Sequence, residues 1–249
     1  MPLGFLIIIN KDIMETKSKS DNELNVGYNF GNFNPDDVEV EDTINAVFAI
    51  DVSGSVGSYV DELNKGMNEF VQRMQGSHVA EKLFVSIVEF ESNVSVRTGF
   101  QPINQLAPID FTNSIGGMTA LFEGTKVALK NALDYREGLE DAGVNCKTLL
   151  FVITDGDNNR PGEASDVKDI ITDLLSEERN FASFEAILFG IGEGQGMDSY
   201  FTQAAEDMGI KHVARISDSA DDIKKMINFI SSSVSSASAG GSAISTPNF

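Results

Sequence analysis

Two hydrophobic periods alternate along most of this chain, and that alternation constrains its fold more than any other feature. Continuous apolar runs occur at Ile44–Ile50, "LFVSIVEF" (83–90), "TLLFVIT" (148–154), "FEAILFGI" (184–191) and "HVARI" (212–216). Between them lie segments with apolar residues three and four apart. Tyr59–Gln75 has Val60, Leu63, Met67, Phe70, Val71 and Met74 on one stripe, and Glu163–Arg179 has Val167, Ile170, Ile171, Leu174 and Leu175. Ala120–Leu139 and Ser199–Met208 also read as helices. Ser219 and Asp222 have capping-box spacing ahead of a last helix with Ile223, Met226, Ile227 and Ile230 on its apolar face. "SNVSVRTGF", after a turn at Ser92-Asn93, reads as a short antiparallel edge strand. Uninterrupted apolar strands belong in a sheet buried on both faces, and amphipathic helices supply the cover. The expected fold is a doubly wound α/β domain: a mostly parallel sheet, one antiparallel edge strand and helices on both faces.

This pattern sets a domain at 43–233, a size one core can organise. Residues 1–42 form an N-terminal extension. It holds an apolar segment, Leu3–Ile9, then a polar, acidic, Asn-rich stretch without a persistent period. Leu3–Ile9 is too short to span a bilayer. It also lacks the preceding basic residues and following cleavage site of a signal peptide. It reads as a strand or docking segment. Residues 234–249, rich in Ser, Ala and Gly, read as a flexible tail.

Charge narrows the partners. Eighteen basic against 38 acidic residues give −20, which repels phosphate backbones and anionic membrane surfaces and favours divalent cations or basic patches. Neither a nucleic acid nor a membrane is an expected partner. The same acidity also serves solubility alone. Cys146, the single cysteine, precedes an apolar run and reads as a buried, inert thiol, in keeping with a reducing, cytoplasmic location.

In an open α/β sheet, ligands bind beyond the carboxyl ends of the strands. After the first strand come Asp51, Ser53 and Ser55. After the third apolar strand come Thr154, Asp155, Gly156 and Asp157, and the loop "SIGGMTALFEG" carries Thr119 into a helix. Alternation across "DVSGS" lets Asp51, Ser53 and Ser55 converge while Val52 and Gly54 face away. Two carboxylates with three hydroxyls form an oxygen-only donor set, which suits Mg²⁺, Mn²⁺ or Ca²⁺ and argues against zinc or copper. Asp157 is at most a supporting group beside this set.

"DVSGS" (51–55), Thr119 in "GGMTALFEG" and Asp155 in "ITDGD" together resemble the three-part metal-ion-dependent adhesion site of von Willebrand factor A (VWA) domains. The resemblance covers roughly residues 44–232. It implies that Ser53, Ser55 and Thr119 hold a cation, Mg²⁺ first, through their hydroxyls. Asp51 and Asp155 would bind it directly or through water. An acidic side chain of a protein partner would complete the coordination. A metal held this way inverts the local field of an acidic protein. The chain is also similar, more loosely, to small intracellular bacterial and phage VWA proteins of the tellurite-resistance type, although the N-terminal extension departs from them.

Other readings stay open at this point. Asp51, Ser53 and Ser55 also suit turns and helix caps. "DGDNNRPGEASD" (155–166) puts Arg160 where a calcium loop needs glycine and ends on Asp166, so it reads as a solvent loop. "GIGEGQG" (190–196) lacks dinucleotide-binding spacing. No nucleophile elbow surrounds either serine, and His78 and His212 lie outside these loops. The expected module is therefore non-enzymatic. An aspartyl-phosphate enzyme using Asp51 is the catalytic alternative. A structural subunit assembling through residues 1–42, with the metal only stiffening the fold, is the other.

Overall fold

The computed structural model describes residues 42–176, 184–192, 196–238, 242–245 and 247. The expected extension with its Leu3–Ile9 segment, and residues 193–195 of "GIGEGQG", lie outside these. The strands are β1 (Asp42–Asp51), β2 (Leu83–Phe90), β3 (Val94–Pro102), β4 (Asn145–Thr154), β5 (Phe184–Ile191) and β6 (His212–Ile216). They form one sheet in the order β3-β2-β1-β4-β5-β6. All neighbours are parallel except β2 and β3, which form the expected antiparallel edge. β1 and β4 are adjacent, and chain order reverses direction across them. A crevice opens at such a switch point, above the strands' carboxyl ends.

The helices are α1 (Val60–Gln75), α2 (Leu121–Asp141), α3 (Ala164–Ser176), α4 (Met197–Met208) and α5 (Ala220–Ala237). α1 and α5 cover one face, over Phe48, Ile50, Phe151 and Phe189. α2, α3 and α4 cover the other, over Val47, Ala49, Val88, Val152 and Leu188. The alternate side chains of β1 thus serve two cores. Phe48 meets Phe70 of α1 edge-on at 5.3 Å and stacks on Phe151 at 5.2 Å. On the other face, Tyr135 of α2 stacks on Phe100 at 4.5 Å. Each such buried side chain is worth roughly 1.5–3 kcal/mol.

Gly124 sets how closely α2 approaches. A Cβ there would lie 2.5 Å from the Phe90 ring. Glycine lets the first turn of α2 settle against the carboxyl end of β2, and that fixes the height of the loop before it.

The carboxyl-terminal boundary differs from expectation. The expected domain end at 233 falls inside α5, which continues to Ala237 with Val234 and Ala237 buried. The hydrophobic period continues through 227, 230, 234 and 237, with serines between. Ser231 and Ser235 donate their hydroxyls to the carbonyls four residues back, Ile227 and Ser231, at 2.8 and 2.9 Å. Those local bonds let a serine run stay helical. Beyond the helix, Ile244 is buried in the α1/α5 core. Glu185 of β5 accepts from the backbone amides of Ala243 (2.8 Å) and Ile244 (2.6 Å). Among the described residues, no helix is long and apolar enough to cross a membrane. Cys146 is buried and unpaired, and burial pushes its thiol up to about 11.

Candidate metal centre

Asp51 is the last residue of β1, and Thr154 ends the adjacent β4. The parallel register pairs Ile50 with Ile153, so the next residues, Asp51 and Thr154, stand side by side. Thr154 donates its hydroxyl to Asp51 Oδ2 at 2.6 Å, and the Ser53 amide donates to Oδ1 at 2.8 Å. The carboxylate is only 1% exposed. Burial pushes its pKa from 3.8 up to about 6, against the downward pull of the Thr154 and Ser53 bonds; the charge of Asp155 pushes the same way as burial.

From Ser53, whose backbone amide holds Asp51, two hydroxyls lead to the second carboxylate. Ser53 Oγ lies 3.2 Å from Ser55 Oγ, and Ser55 donates to Asp155 Oδ1 at 2.8 Å. The Ser55 proton is thereby committed to Asp155, which leaves Ser53 as the donor between the serines. The hydroxyl of Tyr59, a buried residue just ahead of α1, lies close enough to pull the Asp155 pKa down. Burial raises the Asp155 pKa in spite of both hydroxyls. Tyr59 is held strongly protonated by its own burial and then by the Asp155 and Asp51 charges.

Thr119 comes in from the third loop. It is buried, and its Oγ1 lies 3.5 Å from where a Cβ on Gly156 would sit, so the hydroxyl faces the Asp155–Gly156 peptide. The Thr119 loop is bound to the first loop by two backbone bonds, Gly116 N to Val52 O (2.9 Å) and Gly54 N to Gly117 O (3.4 Å). Gly117 has φ +68, and a Cβ there would strike the Glu91 carboxylate and the Ser92 hydroxyl. Only glycine suits that turn.

The structure therefore brings Asp51, Ser53, Ser55, Thr119 and Asp155 to one end of the sheet, at the β1/β4 switch point. Asp157 is exposed on the β4–α3 loop, outside the hydrogen-bonded cluster. His78 follows α1 at the opposite end and lies 3.3 Å from Ser238 Oγ, and His212 opens β6. Among the described residues, no basic side chain pairs with Asp51 or Asp155. No group of three or more His, Cys, Asp or Glu side chains among them could hold a metal ion either. What the cluster offers is two carboxylates and three hydroxyls, hard oxygen donors throughout, with a buried carboxylate that no basic side chain among the described residues neutralises. That donor chemistry fits a divalent cation. Thr154, which the sequence put at its strand end but outside the donor set, orients the Asp51 carboxylate, and Tyr59, read only as the start of a helix, lies beside Asp155. Strand register carried the signal for Thr154.

The model of the von Willebrand factor type A domain matches residues 45–229. The chain belongs to this family. Among solved structures, the VWA fold here is similar to the pilus adhesin SpaC from Lactobacillus rhamnosus GG, with a TM-score of 0.57 and 12% identity over 84% of this chain and 31% of that one. It is also similar to proximal thread matrix protein 1 from the mussel byssus, with a TM-score of 0.51 and 17% identity over 78% and 47%. A further structure of that matrix protein, described as having a zinc-occupied MIDAS motif, matches with a TM-score of 0.50 and 16% identity over 78% and 48%. This chain spans less than half the length of each of these proteins, and at such identities the likeness is one of fold. No curated protein matches the chain.

Proposed function

We propose that this VWA domain is a metal-dependent protein-binding module. A divalent cation would be held by the hydroxyls of Ser53, Ser55 and Thr119, with Asp51 and Asp155 bound to it directly or through water. The observation that carries this reading is the buried Asp51 carboxylate, without a basic side chain paired to it among the described residues and joined through Ser53 and Ser55 to Asp155. Mg²⁺ is the first choice for oxygen donors, with Mn²⁺ and Ca²⁺ next. The zinc-occupied motif of the byssus protein places Zn²⁺ among the ions to test, against the preference of hard oxygen donors.

The residues divide the work. Thr154 and the Ser53 amide hold Asp51 in one orientation, and Ser55 does the same for Asp155. Ser55 is exposed and Ser53 is buried, so the set opens outward on the Ser55 side. When bound, the cation supplies a positive centre to which an acidic side chain of a partner can bind. The module is non-enzymatic on this reading, because among the described residues neither carboxylate has a hydrogen-bonded basic partner that would move protons for it. A cytoplasmic location belongs to the reading too, supported by the buried free thiol of Cys146. The narrower likeness to tellurite-resistance-type proteins rests in part on a flexible serine-rich tail. Residues 234–237 are helix, so the proposal stays at the family level.

A pull-down from native lysate with Mg²⁺ or EDTA, using wild type and Asp51→Ala, tests the function. A partner lost both with EDTA and in the variant supports it. A second reading, a structural subunit of a larger assembly, is favoured by the pilus and matrix proteins among the fold neighbours. That reading wins if deleting residues 1–42 abolishes association while Asp51→Ala leaves it intact.

A further inference from the structure

The segment "DNNR" (157–160) follows the Asp155–Gly156 corner and faces three other loops. Asn159 makes a two-sided bond with the Thr119 peptide. Its side-chain Oδ1 accepts from the Thr119 backbone amide at 2.6 Å, and its backbone amide donates to the Thr119 carbonyl at 3.0 Å. Asn158 Oδ1 accepts from Phe122 N at 3.4 Å, at the start of α2. The residue in the N-cap position of α2, Ala120, makes no side-chain cap, so an asparagine from another loop fills that role. The Asn158 amide donates to the Tyr200 hydroxyl of α4 at 2.7 Å. Arg160 Nε reaches the Ser92 carbonyl at 3.2 Å, and Ser92 Oγ in turn accepts from Met118 N at 2.9 Å. Thr119 is thus gripped from outside its own loop, with Met118 and Phe122 held on either side.

We propose that Asn159 is the positioning residue for Thr119 in the metal site: it aims the Thr119 hydroxyl by clamping both sides of that residue's peptide. The proposal rests on the metal reading and deepens it. Thr119 follows Gly116 and Gly117, a pair that would leave its backbone free on the amino-terminal side without the bonds of Gly116, Gly117 and Met118 to neighbouring loops. A ligand on such a loop loses conformational freedom on binding unless it is already fixed. Asn159 fixes it from the same loop that carries Asp155, so the two donors move together. Outer partners that orient metal ligands typically change affinity about 10–100-fold when removed.

A double-mutant cycle on cation affinity, measured by calorimetry with Mg²⁺ and with Mn²⁺, tests this. Asn159→Ala should weaken binding about tenfold or more. In a Thr119→Ala background, the same change should cost little further, because its route to the metal is gone. Asn159→Asp, which keeps the accepting oxygen, should return affinity toward wild type. Additive losses in the cycle, or no rescue by Asn159→Asp, would overturn the proposal and leave Asn159 a loop-stabilising residue. A second readout needs neither the metal nor a variant. In the metal-free wild type, the Thr119 amide should resist hydrogen exchange, and exchange at the rate of an open loop sinks the idea even if Asn159→Ala does not fold. Failure of the metal reading looks different: wild type binds none of the ions, and the Thr119 amide is still protected.

Discussion

Asp51 concentrates the conflict between stability and binding at the scale of single residues. Its folded pKa of about 6 lies above the ordinary 3.8. The stability it contributes is therefore complete below pH 4 and is lost as pH rises through about 6. Above that, the ionised form costs the metal-free protein roughly 3 kcal/mol. Asp155 shifts in the same direction. The metal-free domain should accordingly melt higher at pH 5 than at pH 7.5 with respect to these groups, and the gain in melting temperature on adding Mg²⁺ should grow over the same interval. Asp51→Asn should stabilise the metal-free protein at pH 7.5 by about 1–3 kcal/mol while removing the Mg²⁺-dependent gain. Thermal denaturation with and without EDTA checks both, and a destabilised Asp51→Asn protein would mean that the buried charge is compensated by some other group. Of the residues that meet here, Asp51, Ser53, Ser55 and Asp155 were legible from side-chain type at or just after strand ends, and Thr119 from the polar loop that enters α2 and the family resemblance. Tyr59 and Asn159 were not. A tyrosine beside a helical stripe reads as core, and an asparagine in a polar loop reads as solvent-facing until the partner loop is in place.

Among the elements of the described residues, all six strands and five helices fall where the sequence pattern puts them, and the shifts are at the ends. α5 is the instructive case. A serine run has the composition of a linker, yet the apolar period runs through it to Ala237, and tertiary burial overrides composition. The tail beyond should therefore matter to stability. Ile244→Ala should cost about 2–4 kcal/mol by chemical denaturation, because it empties a buried site between α5 and the sheet. A loss under about 0.5 kcal/mol, typical of a surface change, would mean that the segment is not docked in solution. At the other end of the sheet, Gly124→Ala presses a methyl group into the Phe90 ring. Overpacking of this kind should cost about 1–3 kcal/mol and shift the loop that carries Thr119, weakening cation affinity as well. Gly156→Ala, whose Cβ would meet Thr119 Oγ1 at an ordinary 3.5 Å, is the milder control at the same site.

For the molecule as a whole, strand order, not any one residue, makes the site. The order β3-β2-β1-β4-β5-β6 puts the ends of β1 and β4 together, so loops about a hundred residues apart in sequence share one crevice. On the proposed reading, the strongly acidic chain, at −20, offers a local sink for positive charge rather than a diffuse one. Cation binding to the folded state alone should stabilise the domain by about 2.7 kcal/mol at a hundredfold excess over Kd. For a domain of this size that is about 5–10 °C in Tm. The most direct measurement is calorimetric titration of Mg²⁺ and Mn²⁺ into the metal-free wild type and into Asp51→Ala and Ser53→Ala. The account predicts one site in the wild type, lost in Asp51→Ala and weakened in Ser53→Ala. Binding with unchanged stoichiometry and affinity in both variants would place the cation elsewhere and contradict it.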